Sequence, residues 1–183
     1  MTFEELLHAI RAVAEVAATD EVLIFGSQAI LLTHPDAPAE LRQSVELDAV
    51  AFRHPERWEL IDGSLGEASR FHNAHGFYVH GVGFETARFA EGWSERCLRI
   101  PVGKPPVTVV CPEIHDLAAS KLAAGRDKDF DYVSVLISHI YVKTHKLLRR
   151  VAHLPIPEES RARLRAWVGA VAMRLSGGAQ PSG

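Results

Sequence analysis

Residues 21–52 decide the fold of this chain, and they read EVLIFGSQAILLTHPDAPAELRQSVELDAVAF. The apolar run Val22 to Phe25 predicts a buried strand, and Gly26-Ser27-Gln28 then turns the chain into a short apolar helix, Ala29 to Leu32. A glycine at such a turn lets the backbone approach a ligand closely, and a serine there caps the helix or donates to a phosphate. Because a helix N-terminus also presents free amides, the turn has the shape of a phosphate-binding cradle.

The end of this stretch is predicted to be a strand that carries two carboxylates. Val45 to Val50 alternates between polar and apolar residues, so Glu46 and Asp48 are expected to point to the same face. Two carboxylates repel each other unless a cation lies between them, and oxygen ligands suit a hard divalent cation such as Mg²⁺ bound to nucleotide phosphates. The alternative is that both side chains line the solvent face of an edge strand, and the nearby Gly-Ser turn is what favours a site.

Composition limits the class of protein. The 183 residues are 47% hydrophobic and 23% charged, which suits one soluble globular domain with a helical extension. A net charge of -3 is not that of a general nucleic-acid-binding protein. Cys97 and Cys111 have no CxxC spacing and are expected to be buried thiols in a reducing compartment. No apolar run approaches the roughly 20 residues of a membrane helix, and residues 1–10 lack a basic signal-peptide start, so we expect a cytoplasmic protein.

The first part of the chain mixes helices and strands. Thr2 and Glu5 form a capping box that starts a first helix, which is expected to pack on a sheet through one apolar stripe: Phe3, Leu6, Leu7, Ile10, Val13 and Val16. Further strands are predicted at residues 77–82, 98–102 and 107–111, and the last two are expected to form a hairpin. Short helices are predicted at residues 39–43, 55–61 and 67–73.

From residue 112 onward the pattern is helical. Pro112-Glu113 is expected to open a helix that Gly125 ends, and three more helices are predicted around residues 130–137, 142–154 and 160–175. The predicted fold is α+β, with a small mixed sheet and flanking helices. We expect three segments: an α/β core over residues 1–111, a helical C-terminal part packed on that core over 112–175, and a disordered tail over 176–183.

These residues resemble a known family. Gly26-Ser27 after a strand, Glu46-Leu47-Asp48 on the next, and the segments Asp116 to Leu122 and Arg126 to Phe130 resemble the nucleotidyltransferase superfamily of DNA polymerase β. Within it, the chain is most similar to uncharacterised bacterial relatives of the abortive-infection AbiEii toxins and the mycobacterial MenT toxins, over about residues 20–140. The resemblance implies a short mixed sheet with flanking helices and an open edge that faces the phosphates.

The resemblance also implies roles for individual residues. Gly26 and Ser27 match the phosphate loop of the family, and Glu46 with Asp48 match its magnesium-binding pair. In such enzymes a hydroxyl attacks the α-phosphate of a nucleoside triphosphate and pyrophosphate leaves, while Mg²⁺ stabilises the charge. The helical part supplies an expected phosphate-binding lysine, a second acidic residue and two flanking cations: Lys121, Asp129, Arg126 and Lys128.

One position departs from the pattern of this superfamily. A third carboxylate usually lies on a neighbouring strand, but the best candidate strand here, residues 78–82, has His80 at that place. A histidine is suited to act as a general base but is a poor ligand for magnesium, and Glu85 is the substitute if its loop curls back. The implied function is a transferase that moves a nucleoside monophosphate to an RNA, protein or small-molecule hydroxyl. The alternative is a catalytically inactive relative that binds a nucleotide or a partner protein in a toxin–antitoxin or defence system.

Other groups have a structural explanation beside a functional one. The spacing of His72, His75 and His80 fits no closed zinc site, so structural histidines are the better interpretation. Lys121 is equally explained as a solvated helix residue, and residues 126–131 as a salt-bridged surface turn. A basic stripe is expected to be a solvated face, with binding of an RNA backbone as the alternative: Lys143, Lys146, Arg149 and Arg150, with His139 and His145.

Overall fold

The structure of the protein is a computed structural model that describes residues 1–177. The chain divides into two compact units. The first, the sheet unit, contains Met1–Ala87 and Arg96–Pro112. The second, the helical unit, contains Arg88–Glu95 and the chain from Glu113 onward. The short segment Arg88–Glu95 therefore belongs with the helices, whereas the sequence pattern had placed it in the α/β core.

The sheet unit is built on five strands, β1 (Glu21–Ile24), β2 (Glu46–Ala51), β3 (Tyr78–Gly81), β4 (Leu98–Val102) and β5 (Val107–Cys111). Their order in the sheet is β3-β2-β1-β5-β4. β1 pairs with β5 and β2 with β3 in parallel, while β1 pairs with β2 and β4 with β5 antiparallel. The predicted mixed sheet, its strand positions and the hairpin of β4 and β5 are confirmed.

Helix α1 (Phe3–Val16) packs against this sheet. Its capping box is present, because the Glu5 amide donates to Thr2 Oγ1 at 3.2 Å and the Thr2 amide donates to Glu5 Oε2 at 2.6 Å. Its buried face supplies apolar side chains to the core: Leu6, Ala9, Ile10 and Val13. Helices α2 (Trp58–Leu65) and α3 (Arg70–His75) follow β2 and lead into β3.

The short helices differ in detail from their predictions. The segment after β1 is a 3₁₀ helix, Ser27–Leu32, and its N-cap is Gly26. Ser27 therefore lies one position too late to cap this helix, and the predicted capping role is wrong. The helix predicted at residues 55–61 is a 3₁₀ turn, Pro55–Arg57, followed by α2, and the one predicted at 39–43 is a 3₁₀ turn, Ala39–Leu41.

The helical unit contains α4 (Ile114–Ala124), α5 (Asp127–Ser138), α6 (Thr144–Ala152) and α7 (Glu158–Gly177). The Glu113 side chain caps the start of α4, and Gly125 ends it in the left-handed conformation at φ 73°, as predicted. α7 extends to Gly177, so the first two residues of the predicted disordered tail are helical. The rest of that tail, residues 178–183, lies outside the described residues. No helix within residues 1–177 is both long and apolar enough to cross a membrane.

A buried polar network joins α4 to the start and body of α6. His115 Nδ1 pairs with the Glu113 carboxylate, and His115 Nε2 accepts the Lys143 amide at 2.9 Å. Arg150 Nε lies 3.3 Å from Asp116 Oδ1, and Asp116 is completely buried. Because buried polar groups cost free energy unless they are paired, these contacts tie the two helices together in one arrangement.

Candidate metal and nucleotide site

The two carboxylates of β2 lie on one face of the sheet, as predicted. Leu47 and Ala49 are completely buried, whereas the side chains of Glu46 and Asp48 are 31% and 27% exposed. This alternation follows from the pleat of a strand, in which neighbouring residues point to opposite faces. The apolar residues fix β2 in the core and leave both carboxylates accessible to a ligand.

The neighbouring strand β3 adds two side chains to the same face. The parallel register places Tyr78 beside Glu46 and His80 beside Asp48. His80 Nδ1 lies 3.4 Å from Glu46 Oε1 and 3.6 Å from Asp48 Oδ1, and the Tyr78 hydroxyl donates to Glu46 Oε2 at 3.1 Å. The strand expected to carry a third acidic residue is thus next to β2, with a histidine in contact with both carboxylates.

Gly26 makes room for this group. It follows the end of β1, and a Cβ added to it would fall on the Asp48 carboxylate. Its φ of −70° is ordinary, so the position requires a small residue for space and not for backbone freedom. Ser27 comes next in the chain and is half-buried. The Gly-Ser turn and the acidic pair, which are about 20 residues apart in sequence, therefore meet in the structure.

The charges around His80 stabilise its protonated form. Its interaction with the Asp48 carboxylate is the largest cause, and the charges of Asp48, Glu46 and Asp62 add to it against the opposing effect of burial, so that its pKa rises to about 9. His80 is therefore a cation at neutral pH, held between two carboxylates. A general base must be deprotonated, so the state in this structure is not suited to the base role that the sequence suggested.

Two participants were missed by sequence reasoning. Tyr78 was assigned only to a strand, yet burial and the neighbouring Glu46 raise its pKa to about 12 and keep its hydroxyl a donor. Asp62 lies on α2, whose backbone packs so tightly on β3 that a Cβ at Gly81 would meet Trp58 O and Asp62 N. Asp62 directly follows the helix predicted at residues 55–61 and was assigned no role there.

A single cluster in the described part of the chain has the geometry to hold a cation. Within residues 1–177, only Glu46, Asp48 and His80 bring three candidate ligand atoms within 4.8 Å of one another. Glu85 is not among them, so the loop does not supply the substitute carboxylate. His72 and His75 are not among them either: His72 packs on Tyr78, and His75 packs on His8 and Phe71. These ring contacts support the structural interpretation of His72 and His75.

The chemistry of the three donors decides which ion would fit. Two carboxylates offer the hard oxygen ligands that Mg²⁺ prefers. The imidazolium of His80 offers no lone pair until it loses its proton, and imidazole is a poor magnesium ligand. Glu46 and Asp48 therefore fit a hard divalent cation, and His80 fits the role of a counter-ion that a bound metal would displace or deprotonate.

The remaining predicted site residues lie in the helical unit, where they contact one another. Lys121 Nζ lies 3.4 Å from Asp129 Oδ1 and 4.8 Å from the centre of the Tyr132 ring. Arg126 Nε donates to Asp129 Oδ2 at 2.6 Å. Burial would raise the pKa of Asp129, but the hydrogen bond from Arg126 and the charge of Lys121 lower it instead. The Lys121 side chain is only 11% exposed, whereas Arg126 and Lys128 are open to solvent.

The basic stripe, most of which lies on α6, is divided between two environments. Lys143, His145 and Arg149 are exposed, as expected of a solvated face. Arg150 is instead bound to Asp116 and Glu113 in the buried network. Arg150, one of the four cations considered for binding an RNA backbone, is therefore already paired within the helical unit.

The mixed sheet, the Gly-Ser turn and the acidic pair beside it define a nucleotidyltransferase-like protein. The chain belongs to the family described as "Nucleotidyltransferase of unknown function (DUF6036)", whose sequence model matches residues 2–167. No curated protein and no solved structure matches the chain. The family establishes the class of protein, and the narrower relationship to the AbiEii and MenT toxins stays a prediction.

Proposed function

We propose that this protein is a magnesium-dependent nucleotidyltransferase that moves a nucleoside monophosphate from a nucleoside triphosphate to a hydroxyl of an RNA, a protein or a small molecule. The observation that supports this most is the meeting of Gly26, Glu46 and Asp48 at one face of the sheet. A turn with only a structural role would not need a glycine at this position. Here the absence of a side chain at Gly26 leaves space for the Asp48 carboxylate. Membership of a nucleotidyltransferase family supports the same reaction class.

Each residue at this face has a proposed task. Glu46 and Asp48 would hold Mg²⁺, which supplies charge neutralisation on the phosphates. Tyr78 keeps Glu46 oriented by donating to its second oxygen, and Gly26 keeps Asp48 in place by leaving room for it. Ser27 is proposed to donate its hydroxyl to a phosphate oxygen. In the transfer, the acceptor oxygen forms a bond to the α-phosphorus, the bond from that phosphorus to the pyrophosphate oxygen breaks, and the acceptor proton passes to solvent.

The helical unit is proposed to contribute positive charge. On the family resemblance, Lys121 contacts a nucleotide phosphate with Asp129 beside it, and Arg126 and Lys128 flank them. The exposed guanidinium of Arg126 and the exposed ammonium of Lys128 suit such a role. To bind a phosphate, Lys121 would give up its contacts with Asp129 and Tyr132. The loss of these contacts is the largest free-energy cost in the proposed role of the helical unit.

Nucleotide binding and pyrophosphate release test the proposal. Each of the four labelled nucleoside triphosphates would be titrated with and without Mg²⁺ against the wild type, Asp48→Ala, Glu46→Ala and the exposed control Glu40→Ala. We expect Mg²⁺-dependent binding and pyrophosphate release in the wild type and the control, and loss of release in both site variants. Unchanged pyrophosphate release in both Asp48→Ala and Glu46→Ala would contradict the proposal.

His80 supports a second candidate function. The superfamily usually has a third carboxylate at the place where this protein has the imidazolium of His80. The site therefore has only two acidic ligands. This favours a protein that binds a nucleotide or a cognate toxin or antitoxin without catalysis. Binding without pyrophosphate would distinguish this candidate from the first. The variant His80→Asp restores the third carboxylate, and a gain of release in it would identify the histidine as the cause of inactivity.

We also propose that the protein acts in the cytoplasm and is related in role to the AbiEii and MenT toxins. Cys97 and Cys111 are not joined in a disulfide, which supports a reducing compartment. The relation to these toxins rests on the sequence resemblance described above. A neighbouring partner protein that changes nucleotide binding would support it.

A further inference from the structure

The helical unit contains a cavity that the nucleotide proposal does not use. One wall is a single face of α7, formed by Ser160, Arg163, Leu164 and Trp167. These positions follow the i, i+3, i+4, i+7 spacing that brings side chains to one side of a helix. The cavity has a volume of about 390 Å³, within the range of small-molecule sites in proteins.

The rest of the lining, apart from Arg88, is apolar and aromatic. It is formed by Leu122, Ala123 and Gly125 at the end of α4 and by Phe130 of α5, with Ile156 and Pro157 at the α6–α7 connection. The rings of Phe130 and Trp167 meet edge to face with their centres 4.9 Å apart. Both rings line the cavity, in one of the arrangements that aromatic pairs prefer.

The polar groups of the cavity carry one sign of charge. Arg163 donates to Ser160 Oγ at 3.2 Å, which places a guanidinium and a hydroxyl side by side. Arg88 is the second cation, and it comes from the segment Arg88–Glu95, which the Glu91 amide anchors to His153 O at 3.1 Å. None of the residues that line the cavity is acidic. The cavity is therefore apolar in its body and has a cation at two exposed points.

We propose that this cavity binds a small aromatic anion, with a flat apolar body between the Phe130–Trp167 pair and the leucines and one carboxylate, sulfonate or phosphate at Arg163 and Arg88. The guanidinium fork and the Ser160 hydroxyl match an anionic group with several acceptor oxygens. The apolar wall binds the body by removing it from water. The proposal is independent of the site on β2 and β3.

Two dyes with the same aromatic body test this inference. Anilinonaphthalene sulfonate carries an anion, and N-phenylnaphthylamine has the same rings without it. Fluorescence titration of the full chain is expected to give saturable binding of one sulfonate dye per chain, about tenfold or more tighter than the neutral dye because a charge-assisted hydrogen bond is worth at least that factor. Equal affinity for the two dyes, or no saturable binding of the sulfonate, overturns the proposal.

Matched variants locate the binding. Arg163→Gln is expected to weaken the sulfonate dye about tenfold and leave the neutral dye unchanged, while Arg174→Gln, an exposed change on the same helix, should alter neither. Ala123→Trp fills the cavity and is expected to abolish binding of both dyes. Because Arg163 is exposed, its variant should fold even if Ala123→Trp does not. Sulfonate binding that survives Arg163→Gln unchanged would place the dye elsewhere and overturn the assignment.

Discussion

The Asp48 carboxylate occupies the space that a side chain at residue 26 would need. Gly26 ends the turn after β1, and Asp48 stands on β2, the antiparallel neighbour of β1. Residue 26 and the Asp48 carboxylate compete for the same space, so a change at either one is expected to shift the position of the other. This coupling makes Gly26 a positioning residue for the proposed metal site.

Gly26→Ala is expected to weaken metal binding more than it weakens the fold. The new methyl group must push the Asp48 side chain aside, which a rotation of that side chain achieves at a cost of about 1 kcal/mol. Isothermal titration with Mn²⁺ should show a loss of affinity of about tenfold or more, since one of two carboxylate ligands is misplaced. Urea unfolding of the same variant should show only the smaller change in stability.

Gly63→Ala is the control for this substitution. Gly63 lies inside α2, and a Cβ added there meets nothing within 4 Å. Alanine favours a helix over glycine by up to about 1 kcal/mol, so this variant should be equally or more stable and bind metal normally. Equal metal affinity in Gly26→Ala and Gly63→Ala would contradict the positioning role.

His80 should titrate well above the ordinary range of histidine. Its pKa is raised to about 9 from the ordinary histidine value of 6.5, chiefly by the hydrogen bond to Asp48. Its contribution to stability is therefore fully present below pH 6.5 and is lost as the pH rises through about 9. NMR titration of the imidazole in metal-free protein should give a midpoint near 9.

Asp48→Asn isolates the cause of this shift. The variant removes the negative charge and keeps the shape, so the His80 midpoint should fall toward 6.5. His80→Gln should in turn remove the part of the stability that is lost between pH 6.5 and 9. An unchanged His80 midpoint in Asp48→Asn would show that another group holds the proton.

The fold was largely predictable because its elements carry local signals. Thr2 with Glu5 marks the start of α1, and Gly125 the end of α4, through hydrogen bonds and backbone freedom within one turn of the chain. The alternation around Glu46 and Asp48 likewise predicts their common face. Each of these features depends on residues within a few positions of one another, so it can be read from the sequence.

The partners in the site were less predictable because they depend on pairing between distant segments. That His80 lies beside Asp48 follows from the β2–β3 register, which the sequence suggests, but its pKa follows from the charges assembled around it. Asp62 affects His80 only because Gly81 lets α2 approach β3 closely. The grouping of Arg88–Glu95 with the helices likewise depends on tertiary contacts and has no local signal.

Two variants distinguish a structural role of Lys121 from a role in nucleotide binding. Asp129→Ala removes the carboxylate that lies 3.4 Å from Lys121 Nζ, in a site where the Lys121 side chain is 11% exposed, and should cost about 3 kcal/mol of unfolding free energy. Lys121→Met keeps the contact of the stem with Tyr132 and should cost about 1 kcal/mol, because Arg126 still pairs with Asp129. Urea unfolding measures both changes.

Nucleotide titration of Lys121→Met then tests the proposed phosphate contact. A folded variant that loses about tenfold in nucleotide affinity supports the role implied by the family resemblance. The control is Arg174→Met, which removes an exposed cation of the helical unit that has no proposed contact with the nucleotide and should cost little stability. Normal nucleotide binding in Lys121→Met would make Lys121 a purely structural partner of Asp129.

The His115 network should make the helical unit sensitive to acid. Burial alone would raise the pKa of Glu113, but the hydrogen bond that Glu113 accepts from His115 lowers it below the ordinary value of 4.5. The stability contributed by Glu113 is therefore present above pH 4.5 and is lost as the pH falls through its lowered pKa.

His115→Ala should remove about 2 kcal/mol at neutral pH, because the Lys143 amide and the Glu113 carboxylate both lose a partner. Urea unfolding from pH 7 down to 3 should show a smaller acid-dependent loss in this variant than in the wild type, whereas His145→Ala, an exposed change on α6, should follow the wild-type curve. Identical pH dependence in His115→Ala and the wild type would mean that Glu113 owes its low pKa to Arg150 instead.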